Sequence, residues 1–153
     1  MLFLPIRSLG KNTVPGVNVR FLHENEPFKG SYFNWWPDDE GLRFEGGDIR
    51  VGHLIAESCE PKITQIEYHG DAETFVYLDG EALVLFCDLK NGNVDLASFS
   101  LARILPFTQV CIEKNKGHSV PISLSRNIVN ALVISANPQT WWVDLLEEVC
   151  ASA

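Results

Sequence analysis

The sequence has few basic residues, no block of positive charge and no long apolar run. Its 12 lysine and arginine residues are outnumbered by 20 aspartate and glutamate residues. Because an acidic chain is repelled by phosphate backbones and anionic lipid surfaces, we expect neither nucleic acid nor membrane as a partner. No run reaches the roughly 18 apolar residues of a membrane-spanning helix, and the N-terminal run is too short for a signal peptide. We therefore expect a cytoplasmic protein.

Cysteine is scarce and has no motif spacing. The chain contains no Cys-x-x-Cys pair, and three of its four cysteines lie in apolar stretches where a thiol serves as a small hydrophobic group. These features disfavour a zinc cluster and a disulfide framework. We predict that all four are reduced and unpaired: Cys59, Cys87, Cys111 and Cys150.

A helical period is absent from most of the chain. Its 153 residues fit one domain, 1–153, with a proper hydrophobic core. About ten short extended segments separated by turn residues are typical of an all-β sandwich or barrel. Only the end differs, because apolar residues from Trp141 to Val149 recur at three- and four-residue steps after Asn137-Pro138. This pattern predicts one C-terminal helix that covers part of the sheet.

Two short sequences predict tight turns within the β region. Asp79-Gly80 is the strongest hairpin signal, and it separates the extended segments 73–78 and 82–87. We expect these two segments to pair with each other. Asn91-Gly92 predicts a second turn further along the chain.

Side chains with acid, base and ligand chemistry are concentrated in residues 62–80. Glu67 and His69 are two residues apart, so they project from the same face of an extended strand. Glu73 follows Gly70-Asp71, a pair suited to a turn. We therefore expect these three polar groups to converge.

Two further features have alternative interpretations. His53 alternates with Ile49, Val51 and Ile55, so it is either a core histidine or a second histidine in the cavity of His69.

The aromatic cluster 32–36 is too large to leave in water. We expect the N-terminal segment to pack on the barrel or across the two-fold interface of a homodimer.

The residues of the 62–80 stretch resemble the first motif of the cupins, which is usually written His-x-His, three or four residues, Glu, six residues, Gly. The second His, the Glu, the Gly and all the spacings are present as His69, Glu73 and Gly80. Glu67 stands in place of the first His, and Pro61 in place of an upstream Gly. The resemblance implies a cupin-type double-stranded β-helix, which is a jelly-roll barrel, and it places the histidine of the second motif at His118.

Within the cupins, the chain is most similar to the ureidoglycolate lyase family. The similarity rests on Glu67-x-His69 at a strand end, on residues 75–78 after it, on the later His118 and on the opening residues 4–9. It implies a lyase of purine catabolism that cleaves ureidoglycolate, or a similar small hydroxy-amide acid, by general acid and base catalysis. His69 is the best base, because its ordinary pKa is close to working pH.

The resemblance also implies which residues form the site. The implied catalytic residues are Glu67, His69, Glu73 and His118. The candidates to bind the substrate carboxylate are three cations near them in strand order, Arg103, Lys116 and Arg126. If a divalent transition metal is bound, its ligands are His69, Glu73 and His118, and the two-His, two-carboxylate set formed with Glu67 suits Mn, Fe, Ni or Zn.

Three functional hypotheses remain open. The first is the lyase, and the second is a metal-dependent cupin enzyme, such as a dioxygenase or an isomerase. The third is a non-catalytic small-molecule-binding cupin, because Glu67 replaces the first His and Ile122 stands where the last Asn of the second motif is expected. The architecture hosts many chemistries and does not decide among them.

Overall fold

The computed structural model of the protein describes residues 1–125, 127–136 and 138–152. All regular structure in these ranges is β, and none of these residues forms a helix that could cross a membrane. In chain order the strands are β1 (Leu2–Leu4), β2 (Arg7–Ser8), β3 (Val17–Phe21), β4 (Phe28–Lys29), β5 (Asn34–Trp35), β6 (Arg50–Ala56), β7 (Lys62–His69), β8 (Glu73–Asp79), β9 (Ala82–Lys90), β10 (Asn93–Ile104), β11 (Thr108–Ile112), β12 (Gly117–His118), β13 (Ile122–Ser123), β14 (Val129–Ser135) and β15 (Thr140–Ala151).

The strands form two large sheets that face each other, as the all-β prediction requires. The larger sheet has the order β1-β15-β7-β12-β9-β10-β2, and β13 also pairs with β9. The smaller sheet has the order β3-β11-β8-β14-β6. Strands β4 and β5 form a separate two-stranded sheet in the N-terminal segment.

The main hydrophobic core lies between the two sheets. It combines Phe75 and Tyr77 of β8 with Val84 and Phe86 of β9, and each of these side chains is at most 4% exposed. Fully burying one such side chain stabilises the fold by about 1.5–3 kcal/mol. This core fixes the separation of the sheets, and therefore the distance between polar groups that point into the same space.

A second core lies on the other face of the larger sheet. Strand β9 alternates between the two cores, with Leu83, Leu85 and Cys87 in this second one. The long strands β10 and β15 each contain a register shift, and such bulges bend a strand. The larger sheet therefore curves around the second core, so that β9 is covered on both of its faces. This explains why six consecutive residues of β9 are buried.

The predicted C-terminal helix is wrong. Residues 140–151 form strand β15, which pairs with β7 so that Thr140 lies opposite His69. The apolar steps of three and four residues arise from the bulge between Asp144 and Val149, which interrupts the strand's two-residue alternation. The predicted helix start at Asn137 lies outside the described residues.

The predicted hairpin at Asp79-Gly80 is also wrong, although the turn itself is present. Strand β8 belongs to the smaller sheet and β9 to the larger one, so the turn carries the chain from one sheet to the other. Gly80 has a φ of 78°, and a Cβ there would lie 2.5 Å from the carbonyl oxygen of Ile128. The Asn91-Gly92 turn does join paired strands, because Asn93 lies opposite Lys90.

His53 is neither a core residue nor part of the cavity of His69. It is exposed on the outer face of β6, an edge strand, and its Nε2 lies 3.1 Å from Oδ1 of Asn130. The neighbouring Val51 and Ile55 are 65% and 53% exposed. The apolar face of this strand therefore points away from the core, and both predictions for His53 are wrong.

The N-terminal aromatic residues are partly in contact with one another but remain exposed. Tyr32 packs edge-on against Phe33, and Phe33 contacts Phe28. Tyr32 is 90% exposed and Trp35 is 58% exposed. The predicted packing onto the barrel is not observed for these side chains, and the homodimer stays a prediction.

Candidate metal centre

The space between the sheets contains one compact group of acidic and histidine side chains. Glu67 and His69 come from β7, His118 comes from the adjacent strand β12, and Glu73 comes from β8 in the facing sheet. Their potential ligand atoms all lie within 4.8 Å of one another. The structure thus brings together the four residues that the sequence singled out, and we refer to them as the cluster.

The position of His118 depends on the glycine before it. A Cβ at Gly117 would lie 2.5 Å from Sγ of Cys87, so only glycine lets β12 fit between β7 and β9. His118 then lies opposite Glu67 in register and is completely buried. The ring of Phe75 contacts its imidazole edge-on, at a centroid distance of 5.8 Å.

Each imidazole is oriented through its Nδ1 atom. Nδ1 of His69 lies 2.9 Å from Oγ1 of Thr140, and Nδ1 of His118 lies 3.3 Å from the carbonyl oxygen of Ser119. A carbonyl oxygen only accepts hydrogen bonds, so Nδ1 of His118 carries the proton and Nε2 of the neutral ring has a free lone pair. Outer contacts of this kind commonly orient histidine ligands of metals.

The two Nε2 atoms are buried and lack hydrogen-bond partners. Nε2 of His69 lies 3.0 Å from Oε2 of Glu73 and 4.0 Å from Oε2 of Glu67, but neither contact has hydrogen-bond geometry. Buried polar atoms are nearly always paired, so two orphaned nitrogens beside two carboxylates need an explanation. A cation between them supplies one.

Burial perturbs the acidity of all four groups. Desolvation raises the pKa of Glu67 to about 7, and desolvation together with the charge of Glu67 raises that of Glu73 to about 7. Desolvation lowers the pKa of His69, and desolvation and the nearby His69 lower that of His118 to about 3. At neutral pH both histidines are therefore neutral, while each carboxyl group is close to the midpoint of its titration.

The residues present fit a divalent transition metal. Two carboxylates and two neutral imidazoles carry a charge that a divalent cation balances, and mixed nitrogen and oxygen donors suit Mn, Fe, Ni or Zn. Ligands about 2.1 Å from a metal are about 3.0 Å apart at right angles and about 4.2 Å apart on opposite sides. The 3.0 Å contact of His69 with Glu73 meets this geometry, and the widest separation, up to 4.8 Å, must contract by about half an ångström.

The turn that follows His69 is held in place by Asp71. Its carboxylate accepts hydrogen bonds from the backbone N–H groups of Glu45, Gly46 and Ala72 at 2.8 to 3.1 Å. Desolvation opposes these donors, but they lower the pKa of Asp71. Asp71 therefore ties the N-terminal segment to the turn between the two strands that carry the cluster.

The predicted substrate-binding cations are not part of the cluster. Arg103 forms an exposed ion pair with Glu81, and Nζ of Lys116 lies 2.6 Å from Oδ1 of Asp88. Arg126 lies outside the described residues. Binding of substrate by these residues stays a prediction.

The two contacts that orient the histidines are not evident from the sequence. The sequence pattern predicts Thr140 at the start of a helix, and only its strand pairing brings Oγ1 to His69. The contact from Ser119 comes from its backbone carbonyl, which no side-chain pattern reveals. Recognising residues 140–144 as a strand would have identified Thr140.

Comparison with known proteins gives a weak structural likeness. No protein-family model matches the chain, and neither does any curated protein. An oxalate decarboxylase from Bacillus subtilis at pH 4.6 has a similar structure, with a TM-score of 0.43 and 14% identity over 81% of this chain and 30% of that one. Another structure of that enzyme, described for its Mn(II) centres, gives a TM-score of 0.42 and 15% identity over 81% and 31% of the two chains.

This chain thus spans about a third of the length of the solved proteins that it resembles. Those proteins are cupins, and nothing in the comparisons supports the ureidoglycolate lyase family. At TM-scores below 0.5 the likeness does not establish a family or an activity for this chain.

Proposed function

We propose that this chain is a cupin-type metal-dependent enzyme, and that the cluster binds one divalent transition metal. The observation that carries the proposal is a set of four potential ligand atoms within 4.8 Å of one another, together with the buried Nε2 atoms of His69 and His118, which have no hydrogen-bond partner. Each ring is held by its Nδ1 contact, and Nε2 of His118 therefore has a lone pair available to a cation.

The charge of the site supports the same conclusion. The raised pKa values of Glu67 and Glu73 mean that two ionised carboxylates are costly in this space unless protons or a cation neutralise them. A divalent cation neutralises both at once. When bound, the metal would supply a Lewis acid that binds anionic oxygens of a small-molecule substrate.

The chain's own residues have defined roles in such a site. Thr140 and Ser119 keep the two imidazoles in one orientation, and Phe75 excludes water from the buried side of His118. The two carboxylates, Glu67 and Glu73, have the more exposed side chains of the cluster, at 13% and 11%, so a substrate arrives on their side of the site. Dioxygenases and isomerases are the enzyme classes that we propose for this donor set.

Metal analysis tests the proposal directly. The purified protein is stripped with EDTA, incubated separately with Mn(II), Fe(II), Ni(II) and Zn(II), dialysed and analysed for bound metal. We expect about one equivalent of at least one metal in the wild type and a loss of about tenfold or more in affinity in His118→Ala. His53→Ala is the matched control, because His53 is exposed on the outer face and should leave metal binding unchanged. A wild type that retains no metal under any of these conditions refutes the proposal.

One observation favours a second candidate, the metal-free lyase acting on ureidoglycolate or a similar acid. Carboxyl groups with pKa values of about 7 beside a neutral His69 are suited to general acid and base catalysis. The two candidates differ in one measurement. Urea release from ureidoglycolate by EDTA-stripped protein supports the lyase, whereas activity that needs an added metal supports the metal-dependent enzyme.

A further inference from the structure

We propose that a groove beside the cluster binds the organic part of the substrate, and that a flat apolar group of the substrate stacks on Trp142. The substrate class that follows is a molecule with an oxygen-containing, metal-binding head and a flat apolar group attached to it. This inference rests on the proposed metal site and adds the specificity of that site.

The groove is large enough for such a molecule. It has a volume of about 670 Å³ and runs between β6, the start of β7 and the segment 119–122. This volume lies within the range of small-molecule sites, roughly 300–1,000 Å³. Its wall is about equally polar and apolar, and the apolar side chains include Leu54, Ile55, Ile63, Val120, Ile122 and Trp142.

Strand register places the groove next to the cluster. Trp142 lies opposite Glu67 on one side of β7, and His118 lies opposite Glu67 on the other side. Register partners share a face of the sheet, so the indole, the carboxylate and the imidazole lie side by side. Ser119, which follows His118, also lines the groove. The groove therefore adjoins the cluster through Trp142 and Ser119, the neighbours of Glu67 and His118, although none of the four cluster residues lines it.

Trp142 is exposed, and no other aromatic ring of the described residues stacks on it. It is 52% exposed, whereas the adjacent Trp141 points to the opposite face and stacks on Tyr68 at a centroid distance of 5.1 Å. A half-exposed indole on the wall of a groove gains from contact with another flat apolar group.

Two of the polar side chains of the groove are engaged with protein partners. Lys62 forms an ion pair with Glu148 at 2.7 Å, and the amide of Gln65 donates to Asp144 at 2.9 Å. The groove therefore offers a ligand the exposed indole of Trp142 together with the remaining polar groups of its wall. A small polar acid would fill only a part of it and would leave the indole in water.

Two hydroxamates test this inference, because both have the same metal-binding head. Acetohydroxamate carries a methyl group, and benzohydroxamate carries a flat phenyl ring. Affinities are measured by calorimetry on the wild type loaded with the metal that it retains best. We expect benzohydroxamate to bind about tenfold more tightly or better, which is the gain from burying a phenyl ring.

Variants of Trp142 and Trp141 distinguish ligand binding in the groove from metal binding in the cluster. Trp142→Ala should reduce the preference to about threefold or less while leaving the affinities for metal and for acetohydroxamate unchanged. Trp142→Phe should keep most of the preference, because it retains a flat ring. Trp141→Ala is the matched control and should keep the wild-type preference, because Trp141 lies on the other face.

Each outcome supports or overturns the inference. Equal hydroxamate affinities in the metal-loaded wild type, or an unchanged preference in Trp142→Ala, overturn the groove and leave the metal site standing. A wild type that binds no metal overturns both proposals. A concentration-dependent dimer that Trp142→Ala dissociates would mean that a second copy covers the groove, and this also overturns the inference.

Discussion

Replacing Glu67 with Gln should stabilise the metal-free protein at pH 8 and weaken the response of the protein to metal. Glutamine has the same shape as glutamate but no charge, so it removes one of the two carboxylates that share the buried space. The change therefore isolates the electrostatic cost of the cluster from its packing. Most single substitutions destabilise a protein, so a gain in stability is a specific result.

The magnitude follows from the acidity of Glu67. Its pKa is about 7 in the folded protein against a reference value of 4.5, a difference of about 2.5. At about 1.4 kcal/mol per pKa unit, the upper bound is about 3.5 kcal/mol, and local relaxation reduces it to about 2 kcal/mol. Because the folded pKa is raised, the stabilising effect of the protonated group is complete below pH 4.5 and is lost as pH rises through 7. The gain from Gln should therefore be about 2 kcal/mol at pH 8 and should nearly vanish at pH 4.5.

Urea unfolding of EDTA-treated protein at the two pH values measures this difference. When the metal that the wild type retains is added at pH 8, the wild type should become more stable than Glu67→Gln. Metal binding to the folded state stabilises the wild type more than the variant. Glu81→Gln is the matched control: Glu81 pairs with Arg103 on the surface, so its replacement should cause a small loss at both pH values. A loss of stability in Glu67→Gln at pH 8, or an equal effect at both pH values, would show that the carboxylates are not held in a desolvated cluster.

Four further predictions concern the rest of the molecule. His118→Ala should remove metal-dependent stabilisation and lower the free energy of unfolding by about 2–4 kcal/mol in urea titrations, because it leaves a cavity in place of a fully buried ring. His53→Ala should change that free energy by less than about 0.5 kcal/mol, since the ring is exposed. In thiol titrations Cys59 should react in the folded protein, whereas Cys87, whose pKa burial raises to about 12, should react only after unfolding, and all four thiols should titrate without reductant. The exposed aromatic residues 28–35 should lie at the interface of a homodimer, so a strictly monomeric particle in light scattering would contradict this prediction.

The parts of the site that could be predicted are those set by local geometry. Glu67 and His69 share a face because a strand alternates every two residues, and Glu73 follows a two-residue turn. These relations hold whatever sheet the strands join. The contribution of His118 is different, because it comes from a distant segment and was placed through the resemblance to the cupin motifs.

The parts that could not be predicted depend on partners that a local pattern does not specify. Asp79-Gly80 can make a tight turn whether or not the two flanking strands pair with each other. Its sequence therefore does not indicate that β8 and β9 belong to different sheets. The apolar spacing of residues 141–149 fits a helix, and it also fits a strand with a bulge. Choosing between them required the partner strand β7. The same error hid Thr140 and Trp142, because both acquire their roles only through pairing with that strand.

Glu67 connects the charge of the cluster with its access to ligands. It stands where the motif usually has a histidine, and the change from imidazole to carboxylate gives the four ligands a total charge that one divalent cation neutralises. Glu67 is also the member of the cluster whose register partner, Trp142, lines the groove. A metal-binding head placed beside Glu67 would therefore leave the rest of its molecule against the indole. This departure from the motif lies where metal chemistry and substrate selection meet, so variants of Glu67 and Trp142 separate the two functions.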